Sequence, residues 1–490
     1  MLRYLSYLAF GVSLTVAALS AQAAEKATRP NIVLLMADDQ GWGEVGYYGH
    51  PNVKTPVLDQ MAAEGLRFDR CYSAAPNCTP TRAAVMTGRH ANRSGAFSPN
   101  WSTRPEEITI AEVLKPAGYR TGHYGKWHIG AVKAASPVNP AKQGFDDYLS
   151  HDNFFELDPP LSRNGADPKI YKGESSEIIV DAASEFVRQV HQEGKPFFVV
   201  IWFGSPHGPY RGLPEDVALY ADVKADELKH RYAEITAMDR AIGKFRKLLR
   251  ELNVAENTLV WYKSDNGIPP DAAQKGSFNG GWRGAKGDTY EGGLRVPAIV
   301  EWPAVVTKPR VTNVACVSSD IFPTLLDILG LQSLDPSRPI DGISLKPLIV
   351  DGSMESRPQP IGFWKYPSGG ERENGRWMPE ELTRGTTPTT RNPAIDFLNF
   401  RHPKPTIDNF AGDAAWTDNR YKLVVFPGGG SGKAKKKGGS GARVELYDLQ
   451  KDPQEKQDIA ASHPEIVKRM QSELEDWQRS VEKSLSGADY

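Results

Sequence analysis

Three short stretches of the chain are apolar with no polar alternation: Asn31–Met36 (NIVLLM), Pro196–Phe203 (PFFVVIWF) and Thr258–Tyr262 (TLVWY). They are rich in β-branched and aromatic residues, the pattern of strands buried on both faces of a parallel sheet. Leu58–Leu66, Glu177–Gln192 and Glu227–Leu252 repeat apolar residues at three- and four-residue spacing, which predicts helices between them. The alternation of strands and helices places the chain in the α/β class. Ligands of such sheets bind beyond the carboxyl ends of the strands. At those ends stand Asp38-Asp39-Gln40, Pro206-His207-Gly208-Pro209-Tyr210 and Ser264-Asp265-Asn266-Gly267. Any one of these clusters would suit an ordinary loop, since Asp, Asn, Gly and Pro all favour turns. Three at equivalent strand ends point to one shared site.

From Asp351 to Asn409 the chain is rich in Pro, Gly, Thr and Arg with little periodicity, as in loops around a site or a passage to a second unit. Tyr421–Phe426 and Arg443–Tyr447 then read as antiparallel strands, and Pro464–Leu485 as an amphipathic helix packed on them. The Gly/Lys-rich segment 428–442 between the two strands reads as a solvated loop. At the other end, Arg3 precedes an apolar run, Leu8–Leu19, followed by Ala21-Gln22-Ala23, a small-x-small cleavage signal. This predicts a removable secretory peptide. The run falls short of the roughly 20 residues of a spanning helix, so no stable membrane anchor is expected. The predicted organisation is a signal peptide over 1–23, a catalytic domain over 24–350, a loop-rich connection over 351–412 and a C-terminal subdomain over 413–490.

A length of 490 residues exceeds one ordinary core and suits a large domain with a smaller one. With 40% hydrophobic and 24% charged residues the composition is that of a soluble globular protein. A net charge of −1 excludes the uniformly basic surface of a nucleic-acid binder, so any anion must be recognised by local clusters of Arg, Lys and His. Export to the periplasm or beyond the cell favours disulfides. Cys71, Cys78 and Cys316 are an odd number, however, and one is left for another purpose.

The segment Asn77–Arg89 (NCTPTRAAVMTGR) is the most specific in the chain. Pro80 suits the first position of a helix, which would set Cys78 at its positive end. Arg82 follows four positions later, so an anion at Cys78 would meet free backbone N–H groups and a guanidinium. A thiol there would have a depressed pKa and be reactive. Taken alone, C-x-P-x-R more often means a buried structural cysteine beside a surface arginine.

The rest of the sequence decides between these. C-T-P-T-R with its trailing T-G-R resembles the signature of the type I sulfatases, and the likeness runs over nearly the whole mature chain. Asn31–Gln40 resembles that family's opening metal motif, Gly125-Lys126-Trp127-His128 its second signature, Pro206–Tyr210 its histidine loop and Ser264–Gly267 its second metal motif. Gly284–Gly287 with Tyr290–Pro297 is similar to its sulfate-binding lysine segment, and Glu445–Asp448 through Pro453 to its C-terminal signature. Thr81 departs from the pattern, where the family more often has Ser. The overall likeness is greatest to the arylsulfatase and N-acetylgalactosamine-6-sulfatase branches.

The resemblance implies an alkaline-phosphatase-like fold, with a large mixed sheet flanked by helices and a smaller C-terminal α+β subdomain. It implies that a separate maturation enzyme converts Cys78 to formylglycine. The hydrate of that aldehyde has two hydroxyls, one to attack sulfur and one whose proton loss expels sulfate. One Ca²⁺, or Mg²⁺ in its place, would be held by Asp38, Asp39, Asp265, Asn266 and the modified Cys78. Oxygen ligation without histidine or thiolate favours these ions over zinc. Arg82 and Lys126 would hold the nucleophile, His128 take the second hydroxyl's proton, and Asp265 accept the attacking hydroxyl's proton. His207 and Lys286 would bind sulfate and protonate the departing alcohol. Lys126 also counts among the sulfate-side groups, and His151 is a candidate substrate contact. Gln40 either supports the metal ligands or shapes the turn, while His90, His123 and His191 read as structural. The expected substrate is a sulfated carbohydrate. Two other readings remain, a phosphonate or phosphate monoester hydrolase of related fold and an inactive sulfated-glycan-binding protein.

Overall fold

The computed structural model describes residues 29–99, 101–366, 410–427 and 442–490. The predicted signal peptide, most of the loop-rich connection and nearly all of the Gly/Lys-rich segment lie outside the described residues. Strands of the large sheet and its flank are β1 (Asn31–Ala37), β2 (Leu66–Phe68), β3 (Cys71–Tyr72), β4 (Arg120–Lys126), β5 (Asp147–His151), β6 (Pro160–Arg163) and β7 (Lys169–Ile170). They continue with β8 (Phe197–Trp202), β9 (Thr258–Ser264), β10 (Arg295–Val296), β11 (Ala298–Glu301), β12 (Arg310–Thr312) and β13 (Cys316–Val317). Ten of these form one sheet in the order β12-β2-β11-β9-β1-β8-β4-β5-β6-β7, and β10-β3-β13 form a second. β9, β1, β8, β4 and β5 lie side by side and parallel, whereas β11 runs antiparallel to β9, so the large sheet is mixed.

The main helices are α1 (Pro56–Glu64), α2 (Cys78–Thr87), α3 (Ser175–Gln192), α4 (Asp226–Glu251), α5 (Ile321–Leu329) and α6 (Pro464–Leu485). Their placement explains the unbroken apolar runs. Ile32, Leu34, Met36 and Phe198, Val200, Trp202 pack with Val85 and Met86 of α2 and Phe322 and Leu325 of α5. The alternate residues Val33, Leu35, Val199 and Ile201 pack on the opposite face with Phe186 and Val187 of α3 and Ile242 and Phe245 of α4. With both faces covered, polar alternation would put charge into one core or the other.

A smaller antiparallel sheet joins β14 (Ile361–Trp364), β15 (Ala414–Thr417), β16 (Tyr421–Phe426) and β17 (Arg443–Asp448) in that order. β16 and β17 pair as expected, and α6 buries Met470, Leu474, Val481 and Leu485 against Trp416, Leu423 and Leu446. β14 falls in the stretch read as loop-rich connection and pairs with β15. The unit is fastened to the large sheet's helices by Arg93, which ion-pairs with Asp341 at 2.7 Å and donates to Ser480 O and Ser484 Oγ. No helix among the described residues is long and apolar enough to cross a membrane.

Candidate active site

The carboxyl ends of β1, β8 and β9 fall on one sheet edge, as do those of β4 and β5. Beyond β1, Asp38 N donates to Ser205 O across the loop ends, and Asp39 N donates to Asp265 Oδ1 at 3.0 Å. Asp39 takes the left-handed backbone conformation, with φ of 67°, which turns the chain sharply within two residues of the strand. Asp265 and Asn266 leave β9 and at once meet the backbone of Gly292, so a Cβ on Gly267 would sit 1.9 Å from Gly292 O. Only glycine allows that approach.

Cys78 is the first residue of α2, whose ten residues are all buried. The helix therefore starts two residues earlier than Pro80 suggested. Asn77 precedes it without a side-chain cap, so N–H groups of the first turn remain open to a ligand at Cys78. Thr81 Oγ1 donates to Ala75 O at 3.0 Å and ties the approach to the helix onto its first turn.

Three acids and three bases interlock around this point. Lys126 Nζ donates to Asp38 Oδ2 at 2.6 Å, Arg82 to Asp265 Oδ2 at 2.7 Å, and Lys286 Nζ lies 2.6 Å from Asp39 Oδ1. Asn266 Nδ2 donates to Asp39 Oδ1 at 2.8 Å. His207 Nε2 is 3.6 Å from Asp39 Oδ2. Asp38, Lys126, Arg82 and Asp265 are buried, whereas the side chains of His207 and Lys286 keep 19% and 17% of their surface open. Those two form the mouth of the site.

Burial works against Asp39's charge, but Lys286, His207 and Lys126 outweigh it and hold the carboxyl well below the usual range. Asp265 is pushed up to about 6 by burial and by Asp38, against Arg82 and Lys126. Burial lowers His207 to about 3 despite the pull of Asp39. It also drives His128 well down, helped by Lys126 and Arg82. The Cys78 thiol is raised by burial in spite of Lys126 and Lys286, so the expected depression of its pKa is not found. Desolvation of a thiolate costs more here than the helix end and its cations return. His207 Nδ1 lies 2.6 Å from Gly208 O, so it carries the proton, and in the neutral ring Nε2 holds a lone pair.

The donor set fits a hard cation. Ligand atoms of Asp38, Cys78 and Asp265 all lie within 4.8 Å of one another, as do those of Asp38, Asp39 and His207. Oxygens sharing a Ca²⁺ at about 2.3–2.6 Å stand at such separations. Asp38 Oδ1 and Asn266 Oδ1 are buried without a hydrogen-bond partner among the described residues, and a cation would satisfy both.

Of the other expected residues, His128 is buried with both ring nitrogens unpartnered among the described residues. Its carbonyl accepts from Thr79 Oγ1 of α2. His151 ends β5 in register with Lys126 and is buried, its Nδ1 near Asn153 and its Nε2 unpartnered among the described residues. Gln40 is buried, accepting from Tyr262 Oη and donating to Glu44 O, so it braces the turn. His90 caps a short turn through Asn92 N, and His123 is packed between Trp127 and Trp202.

Sequence reasoning missed the support of this site. Arg231 of α4 is fully buried, pairs with Glu44 at 2.5 Å, and donates to Asp39 O at 2.7 Å and Pro206 O at 2.6 Å. One guanidinium thus holds the loops that carry Asp39 and His207. A signal was available: Arg231 interrupts the apolar stripe of Leu228, Tyr232, Ile235 and Met238. Phe154 stacks on the His207 ring at 4.5 Å. Arg82 lies over the Trp202 ring at 5.1 Å.

The family profile of the sulfatases matches residues 30–331, which include every side chain just described. The chain belongs to the sulfatase family. It is 34% identical over 366 residues to N-acetylgalactosamine-6-sulfatase of Rattus norvegicus, covering 67% of each protein. Against arylsulfatase A of Homo sapiens the identity is 33% over 410 residues, covering 74% of this chain and 78% of that sulfatase. The structure of Ps i-CgsB in complex with k-i-k-neocarrahexaose superposes with a TM-score of 0.75 at 25% identity, covering 93% of this chain and 94% of the other. A phosphonate monoester hydrolase of Agrobacterium radiobacter shares the fold at a TM-score of 0.61 and 20% identity, covering 92% and 96%. The expected fold class is borne out, and this sulfatase is a sulfuric ester hydrolase.

Proposed function

We propose that this sulfatase hydrolyses sulfate monoesters of carbohydrates, using a formylglycine made from Cys78 and one bound Ca²⁺. The observation that carries this reading is the acidic cluster at the first residue of α2: Asp38 and Asp265 stand beside Cys78, and Asp39, bonded by Asn266, beside Asp38. Arg82, Lys126, Lys286 and His207 surround it. The aldehyde supplies a nucleophile able to release sulfate again. Asp38, Asp39, Asp265, Asn266 and the modified Cys78 would hold the cation, which would supply positive charge and acidify an oxygen; Mg²⁺ is the alternative ion.

The residues of the chain divide the remaining work. Three carboxylates and three cationic side chains balance one another, so a divalent cation leaves the site net positive and receptive to a sulfate ester. Arg82 and Lys126, both buried, fix the nucleophile's position and oppose its negative charge. Asp265, ion-paired with Arg82 at 2.7 Å, accepts a proton from the attacking hydroxyl. His128, neutral and with free ring nitrogens, takes the proton whose loss expels sulfate. Lys286 and His207, at the mouth, grip the sulfate and serve the leaving oxygen, and His151 is a candidate contact for the sugar.

The run Leu8–Leu19 with its Ala21-Gln22-Ala23 site supports export to the periplasm or the medium, after modification of Cys78 by a formylglycine-generating enzyme. The division into 24–350, 351–412 and 413–490 is part of the same proposal; β14, inside the middle stretch, pairs with β15 of the small sheet. The likeness to an N-acetylgalactosamine-6-sulfatase and to a structure holding a carrahexaose favours a carbohydrate substrate.

The test is to assay matured protein against sulfated mono- and oligosaccharides, nitrophenyl sulfate and matched phosphate and phosphonate esters, with peptide mass analysis of Cys78. Sulfate release from a sugar by protein carrying the aldehyde is expected. Full activity with Cys78 entirely a thiol, or turnover of phosphonates alone, would overturn the reading.

A further inference from the structure

Of the three cysteines, the site uses one, and the fold brings the other two together. β3 and β13 are parallel neighbours, with Cys71 directly in register with Cys316. Adjacent strands lie about 4.8 Å apart, inside the roughly 4.4–6.8 Å Cα separation that a disulfide spans. Both side chains also point the same way. Cys71 and Cys316 belong to the core containing Leu66, Phe68 and Phe322. Their neighbours Tyr72 and Val317 face the other side, toward Phe363 and Ala415. In the thiol form both are buried, at 4% and 1% exposure.

We infer that Cys71 and Cys316 form a disulfide in the exported protein. The inference goes beyond the proposed catalytic reading and shares with it only the assumption of export. It answers the odd-cysteine problem, because pairing in register leaves Cys78 alone for modification. Without that pairing Cys71, close to Cys78 in sequence, would compete for it.

The bond forms by thiol–disulfide exchange with an oxidised protein dithiol of the exporting compartment. Thiolate of one cysteine attacks that oxidant's disulfide, and the second thiolate then displaces the oxidant from the mixed disulfide. One S–S bond is made in the sulfatase and one is broken in the oxidant, and two protons and two electrons pass to the oxidant, now a dithiol. The exchange takes place while the strands pair, since neither sulfur is accessible afterwards. The covalent tie fixes β3, the strand that leads through Ser73–Asn77 into Cys78.

The experiment is non-reducing peptide mapping of two preparations, protein recovered after export and protein refolded with oxidised glutathione, each alkylated in denaturant. A Cys71 peptide joined to a Cys316 peptide, lighter by two hydrogens than the separate pair, is expected in both. Free Cys71 and Cys316 in the refolded protein, or Cys78 linked to either, overturns the inference. Free Cys71 and Cys316 in protein recovered after export overturn it as well, even where refolding makes the link. As a second measurement, reductant should speed thermal inactivation of the parent several-fold and leave Cys71→Ala/Cys316→Ala unaffected; equal effects on both would overturn it.

Discussion

Asp38 and Asp39 leave the same strand, yet each is held by a different lysine, Lys126 behind and Lys286 at the mouth. In the proposed reading the two lysines set position and the carboxylates hold the metal. Asp39→Ala or Asp265→Ala should therefore remove the bound cation together with the activity, as elemental analysis of purified protein would reveal. Stoichiometric zinc in active parent protein, without calcium or magnesium, would refute the assignment. His207 poses a sharper question, because its Nδ1–H is committed to Gly208 O and its neutral Nε2 can only accept. If sulfate binding protonates the ring, His207 serves as the acid for a poor alkoxide leaving group, which nitrophenolate does not need. Positioned acids contribute about 10²–10⁴-fold. His207→Ala should then lose more kcat/KM on a sugar sulfate than on nitrophenyl sulfate, by roughly 1.4 kcal/mol for each tenfold gap. Equal losses would move the proton-donating role to Lys286. These residues were legible because each sits in a local motif, at a strand end for Asp38, Asp39, Lys126, His207 and Asp265 and in a Gly-flanked loop for Lys286. Glu44, Phe154 and Arg231 were not, since their partners are distant in sequence and come together only in the fold.

Among the elements, α4 does more than cover the sheet. Arg231→Met would leave Glu44 buried without its partner, at a cost of about 3–5 kcal/mol, and would free the Asp39 and Pro206 carbonyls. Combining it with Glu44→Gln should restore much of the melting temperature and little of the activity, because no group then spans the two loops. Recovery of both would mean that Arg231 is only a core residue. The docking of α6 depends likewise on Asp341, which accepts from Trp477 Nε1 and from Arg93. Burial opposes its charge, but Arg93 and the His90 N–H hold its pKa far below the ordinary value. A depressed carboxylate contributes stability that is complete above its unfolded pKa of about 3.9 and lost as pH falls toward the folded value. Asp341→Asn should lower stability by about 3 kcal/mol near neutrality, and the difference from the parent should shrink below about pH 4. A difference that stays constant to pH 2 in denaturant titrations would contradict this. Element legibility followed burial. β1, β8 and β9 were readable because both faces are covered, whereas β4 (RTGHYGK) has two internal glycines and buried polar groups paired by Ser150 and Asp147. No periodicity marks such a strand.

Across the whole molecule, α2 packs against parts of the chain that follow it at long range. Arg82 meets Asp265, Thr79 meets the His128 carbonyl, Gly287 N donates to Pro76 O, and Phe322 closes over Gly88. Cys78 ends with 1% of its surface exposed. If Cys78 is modified as proposed, the native structure withholds it from the modifying enzyme. On that reading timing is set by synthesis: Cys78 would stay open while the segments carrying Asp265, Gly287 and Phe322 are still being made, and be sealed when they arrive. Long-range contacts of this kind are slow to form, which lengthens the interval. A peptide spanning residues 70–90 should be converted readily by the maturation enzyme and the folded thiol protein hardly at all, with mass analysis after equal incubation as the measure. Variants that hasten folding of this region would then mature less completely, gaining stability and losing specific activity together.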